Sequence, residues 1–386
     1  MKKRPHIFTR LLGDSKLQPF VIPVFSVVCS LAAASIVLLI IGRNPLIAFR
    51  SILQGAGLLP RGSYSAGKGM LTDLLNTLSA LTPMIFAALG VTVAFKAGLF
   101  NIGVSGQMLF AGYIASVTIG YSDLPAYAAR PLVLLIGFAC GALIGALIGL
   151  LKHRFNINEV VSSIMINYIL QYVIGFFILT RHIDPVSRQS VAVSAAARLV
   201  PQSVHYGTLK GDLPLCILLA IIVAFILRFV INRTRYGFDL LAVGANPKAA
   251  RYAGIRVGST VVTSMTLSGA LAGLAGVTHY LGYYNSIQPK SLTSVGFDSI
   301  AVSLLGNGNP VGVLFSSLLV TVIDKGSTYM SSMVKVEREI AAVITGLILL
   351  FSACGAYFKY LAERNQLAAT GEPANSEKKD DGEGDA

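Results

Sequence analysis

Charged residues are scarce in this sequence of 386 residues, because Asp, Glu, Lys and Arg together make up only 13% of it. A soluble globular protein is about one quarter charged, so this chain has too few charges to cover a surface that faces water. Hydrophobic residues amount to 54% and occur in long runs, and a helix needs about 20 apolar residues to cross a bilayer. The composition therefore excludes a soluble protein and predicts an all-α integral membrane protein.

Motifs for catalysis and metal binding are also lacking. The four cysteines (Cys29, Cys140, Cys216 and Cys354) are solitary and lie in apolar runs, which indicates small hydrophobic residues rather than metal ligands. A Walker-like string runs from Gly62 to Gly69, but Gly69 stands where a Ser or Thr must bind magnesium. The sequence therefore predicts no catalytic residue, no metal site and no cofactor.

Ionisable residues are rare inside the apolar runs. Those nearest to the runs lie near their predicted ends: Glu159, His279, Asp298, Asp324 and Glu339. A proton-coupled transporter usually needs such a residue within the membrane, and an ion channel often uses rings of them. We therefore expect another polypeptide to supply the energy for any transport, while coupling to sodium through backbone carbonyls stays open.

Hydropathy predicts about ten transmembrane or re-entrant helices. The third and the eighth are short or interrupted by glycine, which is tolerated where protein or a water-lined cavity covers the backbone. The predicted spans are Phe20–Ile41, Leu75–Phe95, Ser105–Tyr121, Pro131–Leu151, Val160–Leu179, Leu213–Phe229, Ser259–Tyr280, Val295–Leu305, Pro310–Val322 and Ile340–Tyr357.

The distribution of charge predicts the domain organisation and the orientation. Residues 1–19 form a basic tail, residues 20–358 form the transmembrane domain, and residues 359–386 form a disordered acidic tail. The basic amino-terminal tail and a basic cluster between Arg228 and Arg256 favour the cytoplasmic side, so ten spans place both termini in the cytoplasm. We assign the formal charge of +13 to loops near anionic lipid rather than to binding of nucleic acid.

Glycines recur every fourth residue in two of the predicted spans. Gly137, Gly141, Gly145 and Gly149 lie in the fourth span, and Gly269 and Gly273 lie in the seventh. Apolar surface does not drive helices together in lipid, so close backbone contact between small residues must contribute instead. The pattern predicts helix packing rather than a binding site.

Two stretches combine membrane character with polar side chains. The first, Ala97–Ser116, carries Phe100, Asn101, Ser105 and Gln107, and the second, Asn156–Leu170, carries Asn158, Glu159 and Asn167. A broken helix that exposes amides suits an uncharged polar solute, but the same groups could instead bond between helices. In the second stretch, a helix cap explains Asn158 and Glu159 without any role in transport.

A third stretch, Thr234–Val257, is the longest predicted cytoplasmic interruption between spans. Asn246 followed by Pro247 predicts a helix start, and Gly254 predicts its end. The resulting short helix, rich in small residues, could enter a groove on a partner protein and transmit force. A plain amphipathic surface helix is the alternative.

Several motifs in order resemble a known family. GANPKAARYAGI (Gly244–Ile255) resembles the coupling-helix loop of ABC importer permeases of the ribose and branched-chain amino acid type, which are type II-like. GALAGLAGVTHY (Gly269–Tyr280) and GFDSIAVSLLGNGNPVG (Gly296–Gly312) are similar to the same family. GLFNIGVSGQ (Gly98–Gln107) and NEVVSSIMINYI (Asn158–Ile169) look most like its nucleoside or "simple sugar" branch.

The resemblance implies a bacterial plasma-membrane permease with three kinds of partner: a second homologous permease, a cytoplasmic ATPase that binds the ATP, and an extracytoplasmic substrate-binding lipoprotein. It implies coupling residues at Gly244, Asn246, Pro247, Ala249, Ala250, Tyr252 and Gly254, and a substrate pathway at Phe100, Asn101, Ser105, Gln107 and Asn167.

Ser105 stands where related permeases commonly carry glutamate. Nucleosides are the expected solute, with simple sugars as the alternative and an ion-coupled secondary transporter as a further one. Phe100, Tyr283 and Tyr284 are candidates to stack on a base, although aromatic rings at span ends more often anchor a helix at the membrane surface.

Overall fold

The computed structural model describes residues 18–64, 68–201, 204–206, 209–212 and 214–335, together with the isolated positions 343, 346, 347, 350, 351, 354 and 357. In the described part, helices dominate, and the only strands form one short antiparallel hairpin, β1 (Val204–Tyr206) and β2 (Leu209–Gly211). The all-α fold class is therefore confirmed.

Twelve helices follow one another in the described residues. They are α1 (Gln18–Ile40), α2 (Pro45–Gly55), α3 (Met70–Lys96), α4 (Val104–Ala115), α5 (Ala126–Phe155), α6 (Glu159–Arg181), α7 (Cys216–Arg233), α8 (Arg235–Ala245), α9 (Pro247–Tyr252), α10 (Val257–Thr278), α11 (Val295–Leu305) and α12 (Pro310–Val334). Short π-helical turns continue α4 over Ser116–Gly120 and α10 over His279–Tyr283.

Among the described residues, six helices are long and apolar enough to cross a membrane: α3, α5, α6, α7, α10 with its π turn, and α12. The end of α1 (from Val28) and α2 pass the same test only together, as a pair bent by 118° that is either a broken span or a re-entrant loop. The third and eighth predicted spans are helices that are short, as expected, at Val104–Gly120 and Val295–Leu305. The tenth predicted span, Ile340–Tyr357, and the predicted tails lie almost entirely outside the described residues.

The centre of the molecule is α10, which packs against α3, α4 and α5. The most apolar windows of α3 and α10 are 83% and 78% buried, whereas that of α7 is only 22% buried. Helix α7 therefore presents most of its surface outward, as a lipid-facing helix does, while α3 and α10 form the core.

The predicted glycine packing joins α5 to α10. A Cβ on Gly141 would overlap the carbonyl oxygen of Gly269 and lie 2.6 Å from the Cα of Gly273. A Cβ on Gly145 would lie 3.0 Å from the Cα of Gly269. The two backbones therefore touch, and only glycine fits along this contact.

Helix α12 continues past the predicted end of its span. The prediction ended at Val322 because Asp324 and Lys325 follow, but the helix runs to Val334. The charged pair does not end the helix because both side chains line a cavity, where Lys325 bonds to the hydroxyl of Tyr283 while the side chain of Asp324 is 63% exposed. The expectation that ionisable residues lie only near span ends is thus wrong for α12.

Helix α2 was not predicted, because it is only eleven residues long, from Pro45 to Gly55. It packs on α12, where a Cβ on Gly55 would lie 2.7 Å from the Cβ of Tyr329 and 2.9 Å from the Cα of Gly326. Asn44 starts the helix by accepting a hydrogen bond from the amide of Leu46. This pair, with α1, forms a small second core beside the main one.

We predict that Gly141→Ala disrupts the contact between α5 and α10. The added methyl group meets backbone atoms that cannot rotate away, so we expect a loss of about 1–3 kcal/mol in stability and a several-fold fall in abundance in the membrane. Immunoblots of membrane fractions and thermal unfolding in detergent measure both effects. Gly62→Ala is the control, since a Cβ there meets nothing within 4 Å; equal abundance of the two variants would contradict the packing.

Candidate functional site

A buried polar junction lies at the non-helical segment 97–103 between α3 and α4. The amide nitrogen Nδ2 of Asn101 donates to Gln107 Oε1 at 3.1 Å and to Ser268 Oγ at 2.9 Å. Its Oδ1 accepts from the amide of Gly103 at 3.0 Å. The Asn101 side chain therefore links the segment 97–103 both to the start of α4 and to the middle of α10.

Helices α6 and α11 complete this junction. Asn167 Oδ1 accepts from the amide of Gly106 at 2.9 Å, and its Nδ2 donates to the carbonyl of Ile102 at 2.9 Å. Ser105 Oγ donates to the carbonyl of Thr293 at 3.0 Å, just before α11 begins. The junction thus ties four helices together through side chains that are at most 3% exposed.

The structure brings four of the five predicted pathway residues together: Asn101, Ser105, Gln107 and Asn167. Phe100 lies beside them, half-buried, with its ring centroid 5.2 Å from that of Phe95. These four side chains form hydrogen bonds with one another, with Ser268 or with backbone groups of neighbouring segments. Their contacts therefore match the alternative in which the polar groups bond between helices. Their assignment to the substrate pathway stays a prediction.

A cavity of about 730 Å³ lies next to this junction. Its walls come from the start of α11, the π turn of α10, the segment 284–294 and one face of α12. Ala80 and Met84 of α3, Gln189 and Gly346 complete the lining. None of the five predicted pathway residues is among its lining, but Thr293, which binds Ser105, is. The volume lies within the range of about 300–1,000 Å³ typical of small-molecule sites.

One wall of the cavity is aromatic. The π turn places His279, Tyr280, Tyr283 and Tyr284 on it, with ring centroids 5.0 Å apart for His279 and Tyr284 and 4.7 Å apart for Tyr283 and Tyr284. These contacts are edge-to-face, an arrangement that aromatic rings prefer. The rings at this end of α10 therefore face a cavity rather than only the membrane surface.

Charged side chains adjoin the aromatic wall. Lys325 Nζ donates to the hydroxyl of Tyr283 at 2.6 Å, lies 4.2 Å from the centroid of that ring, and is 3.8 Å from Asp324 Oδ2. Asp298 adds a second carboxylate from the first turn of α11, where a negative charge offsets the helix dipole. Two carboxylates and one ammonium group thus surround the same space.

Sequence reasoning did not find this site. His279, Asp298 and Asp324 were placed near span ends and set aside, and Lys325 fell outside the predicted span. A signal was present: an Asp–Lys pair in the middle of an otherwise uncharged 25-residue helix is costly in lipid unless protein covers it. The tyrosines were noted only as possible stacking groups.

At the other end of the molecule, α8 and α9 form the predicted coupling segment. Asn246 accepts from the amides of Lys248 and Ala249, Pro247 is the first helical residue, and Gly254 has a φ of +80°, which favours glycine. The short helix is therefore confirmed, whereas α8 was not predicted. Tyr252 is 94% exposed and Ala250 is buried.

The predicted coupling segment contacts the segment 97–103 of the junction directly. A Cβ on Gly98 would lie 3.1 Å from the Cα of Gly244, and Gly98 needs a positive φ of +69° to make the turn. From Gly98 the chain leads in three residues to Asn101. The segment α8–α9, the junction and the cavity are therefore in contact in that order.

Comparison with known proteins identifies relatives along most of the chain. The family described as branched-chain amino acid transport system / permease component matches residues 73–353. Guanosine ABC transporter permease protein NupP of Bacillus subtilis is 36% identical over 343 residues, which cover 88% of this chain and 94% of the relative. Nucleoside ABC transporter permease protein NupB of Lactococcus lactis is 32% identical over 348 residues, 88% of this chain and 92% of the relative.

A relative with a different named solute matches less well. Glucose ABC transporter permease protein TsgB13 of Haloferax volcanii is 26% identical over 347 residues, 87% of this chain and 88% of the relative. No solved structure matches the chain.

We predict that Asn101→Ala destabilises the protein. It leaves Gln107 and Ser268 without their buried partner, so we expect a loss of about 1–3 kcal/mol and a lower Tm in detergent. Asn285→Ala, at an exposed position, serves as the control and should keep the wild-type Tm. A variant at Asn101 that keeps its Tm but no longer transports would contradict the junction and favour direct contact with solute.

Proposed function

The chain belongs to the family of branched-chain amino acid transport permease components, and from that membership we propose that it is the membrane-spanning subunit of an ATP-driven importer of nucleosides. The observation that supports nucleosides is the identity of 36% and 32% to a guanosine and a nucleoside permease over most of the chain. The cavity with its aromatic wall is compatible with a planar base. As a transport subunit, the chain carries no catalytic step itself.

We propose three protein partners. A cytoplasmic ATPase binds the exposed side of α9, a second homologous permease completes the transmembrane unit, and an extracytoplasmic binding lipoprotein delivers the solute at the cavity end. This places α9 in the cytoplasm of a bacterial cell and orients the basic tail and the carboxyl terminus to the same side. ATP is bound by the partner, which is consistent with the absence of a phosphate-binding motif in this sequence.

The proposed mechanism is alternating access. Closure of the ATPase moves α9, and the contact of Gly244 with Gly98 transmits the motion to the junction around Asn101. The junction, through Ser105 and Thr293, forms the floor of the cavity and opens toward the cytoplasm when it shifts. The predicted pathway residues would then line the exit only in that second state.

A sugar importer is the second candidate, since the chain is 26% identical to a glucose permease over most of its length. We therefore propose to measure uptake of radiolabelled guanosine in cells with and without this gene, with excess unlabelled ribose as competitor. Gene-dependent uptake that resists ribose is the expected result. Uptake abolished by ribose would favour sugars, and no gene-dependent uptake of guanosine would reject the nucleoside proposal.

The role of α9 can be tested separately. We predict that Gly254→Trp leaves the protein in the membrane but abolishes both uptake and co-purification of the ATPase, because the bulky ring lies on the docking surface beside Tyr252. Gly42→Trp is a matched control: Gly42 also has a positive φ, +76° against +80° for Gly254, and a Cβ at either position meets nothing within 4 Å. Normal uptake by the Gly254 variant would reject the coupling role.

A further inference from the structure

Two polar side chains of the cavity have an atom without a partner among the residues that the structure describes. Within that part of the chain, His279 Nδ1 and Thr321 Oγ1 are buried atoms without a hydrogen bond, in side chains that are 7% and 2% exposed. Both residues line the cavity. A buried polar atom without a partner is costly. Each of these atoms exposes less than 1 Å², so a ligand in the cavity would bond to it only after the side chain turns toward the cavity, and that bond would remove the cost.

The aromatic wall offers a surface for a planar molecule. Tyr284 is 49% exposed, and its contacts with His279 and Tyr283 have interplanar angles of 69° and 80°. These edge-to-face contacts hold the ring in place without a parallel ring against it. A heteroaromatic base can therefore stack on Tyr284, beside His279, in a cavity that Thr321 also lines.

The charges of the cavity favour a neutral ligand over an anion. Asp298 and Asp324 outnumber Lys325, whose ammonium group already contacts Tyr283 and Asp324. The start of α11 would otherwise attract a phosphate, but Asp298 in its first turn opposes that attraction. Carboxylates that accept hydrogen bonds suit the hydroxyl groups of a sugar instead.

We propose that this cavity is the binding site for the nucleoside within the permease. The base stacks on Tyr284 and bonds to His279 and Thr321, the ribose hydroxyls donate to Asp298, and the net negative charge excludes nucleotides. The inference rests on the proposed function and adds the site, its residues and the discrimination between nucleosides and nucleoside phosphates.

The site can be located by photoaffinity labelling of the assembled importer in membranes with 8-azidoguanosine. We expect label in peptides that contain residues 279–284 or 321–328. Excess guanosine should reduce it at least about tenfold, whereas guanosine monophosphate and ribose at the same concentration should not. Label only elsewhere on this chain, no label on it, or equal competition by the monophosphate would overturn the proposal.

Variants test the individual contacts. We expect Tyr284→Ala to lower labelling and the maximal rate of guanosine uptake by about tenfold, since stacking on the ring is lost, and Tyr284→Phe to preserve both. Tyr127→Ala is the matched control, because Tyr127 is 84% exposed and does not line the cavity. Asp298→Asn should allow guanosine monophosphate to compete for labelling.

Two kinds of failure can be told apart. Wild-type cells without gene-dependent guanosine uptake would reject the proposed function. Normal uptake by wild type and by Tyr284→Ala, at equal abundance in the membrane, would leave that function intact and reject only this site.

Discussion

The close contact between α5 and α10 is the constraint on which the rest of the structure depends. Three glycines of α5 and two of α10 bring the backbones so near that a single methyl group would overlap a carbonyl oxygen. In lipid this contact contributes what burial of apolar surface contributes in water. It holds α10 at the centre of the molecule. Gly90 of α3 and Gly276 of α10 likewise allow α3 and α4 to pack closely against α10.

The position of α10 determines both polar regions of the protein. Ser268, in its middle, binds Asn101 of the junction, and its π turn carries the aromatic wall of the cavity. Because the coupling segment contacts the junction through Gly244 and Gly98, a movement at one end has a continuous path of contacts to the other. Such a path is compatible with coupling and becomes evidence for it only when the two ends are shown to respond to each other.

Much of the fold could be predicted because its signals are local. Hydropathy identified nine of the segments that are helical in the described residues, glycine spacing identified the contact of α5 with α10, and Asn246–Pro247 identified the start of α9. The cavity could not be predicted, because it depends on which helices meet. Hydropathy places Asp324 and Lys325 outside a span, and only the packing of α12 against α3 and α11, with the contact of Lys325 to Tyr283, shows that they line a cavity. The amides of Asn101 and Asn167 could not be assigned from the sequence either, since a polar side chain in an apolar run looks the same whether it meets solute or another helix.

The central claim, ATP-driven import of a nucleoside through this chain, is tested most directly by reconstitution. Accumulation of radiolabelled guanosine would be measured in proteoliposomes that contain this permease and its partner subunits, with ATP supplied on the side of α9 and an ionophore added to remove ion gradients. The account predicts accumulation that requires ATP and is unaffected by the ionophore. Accumulation without ATP that collapses with the ionophore would contradict it, because the chain would then be an ion-coupled transporter.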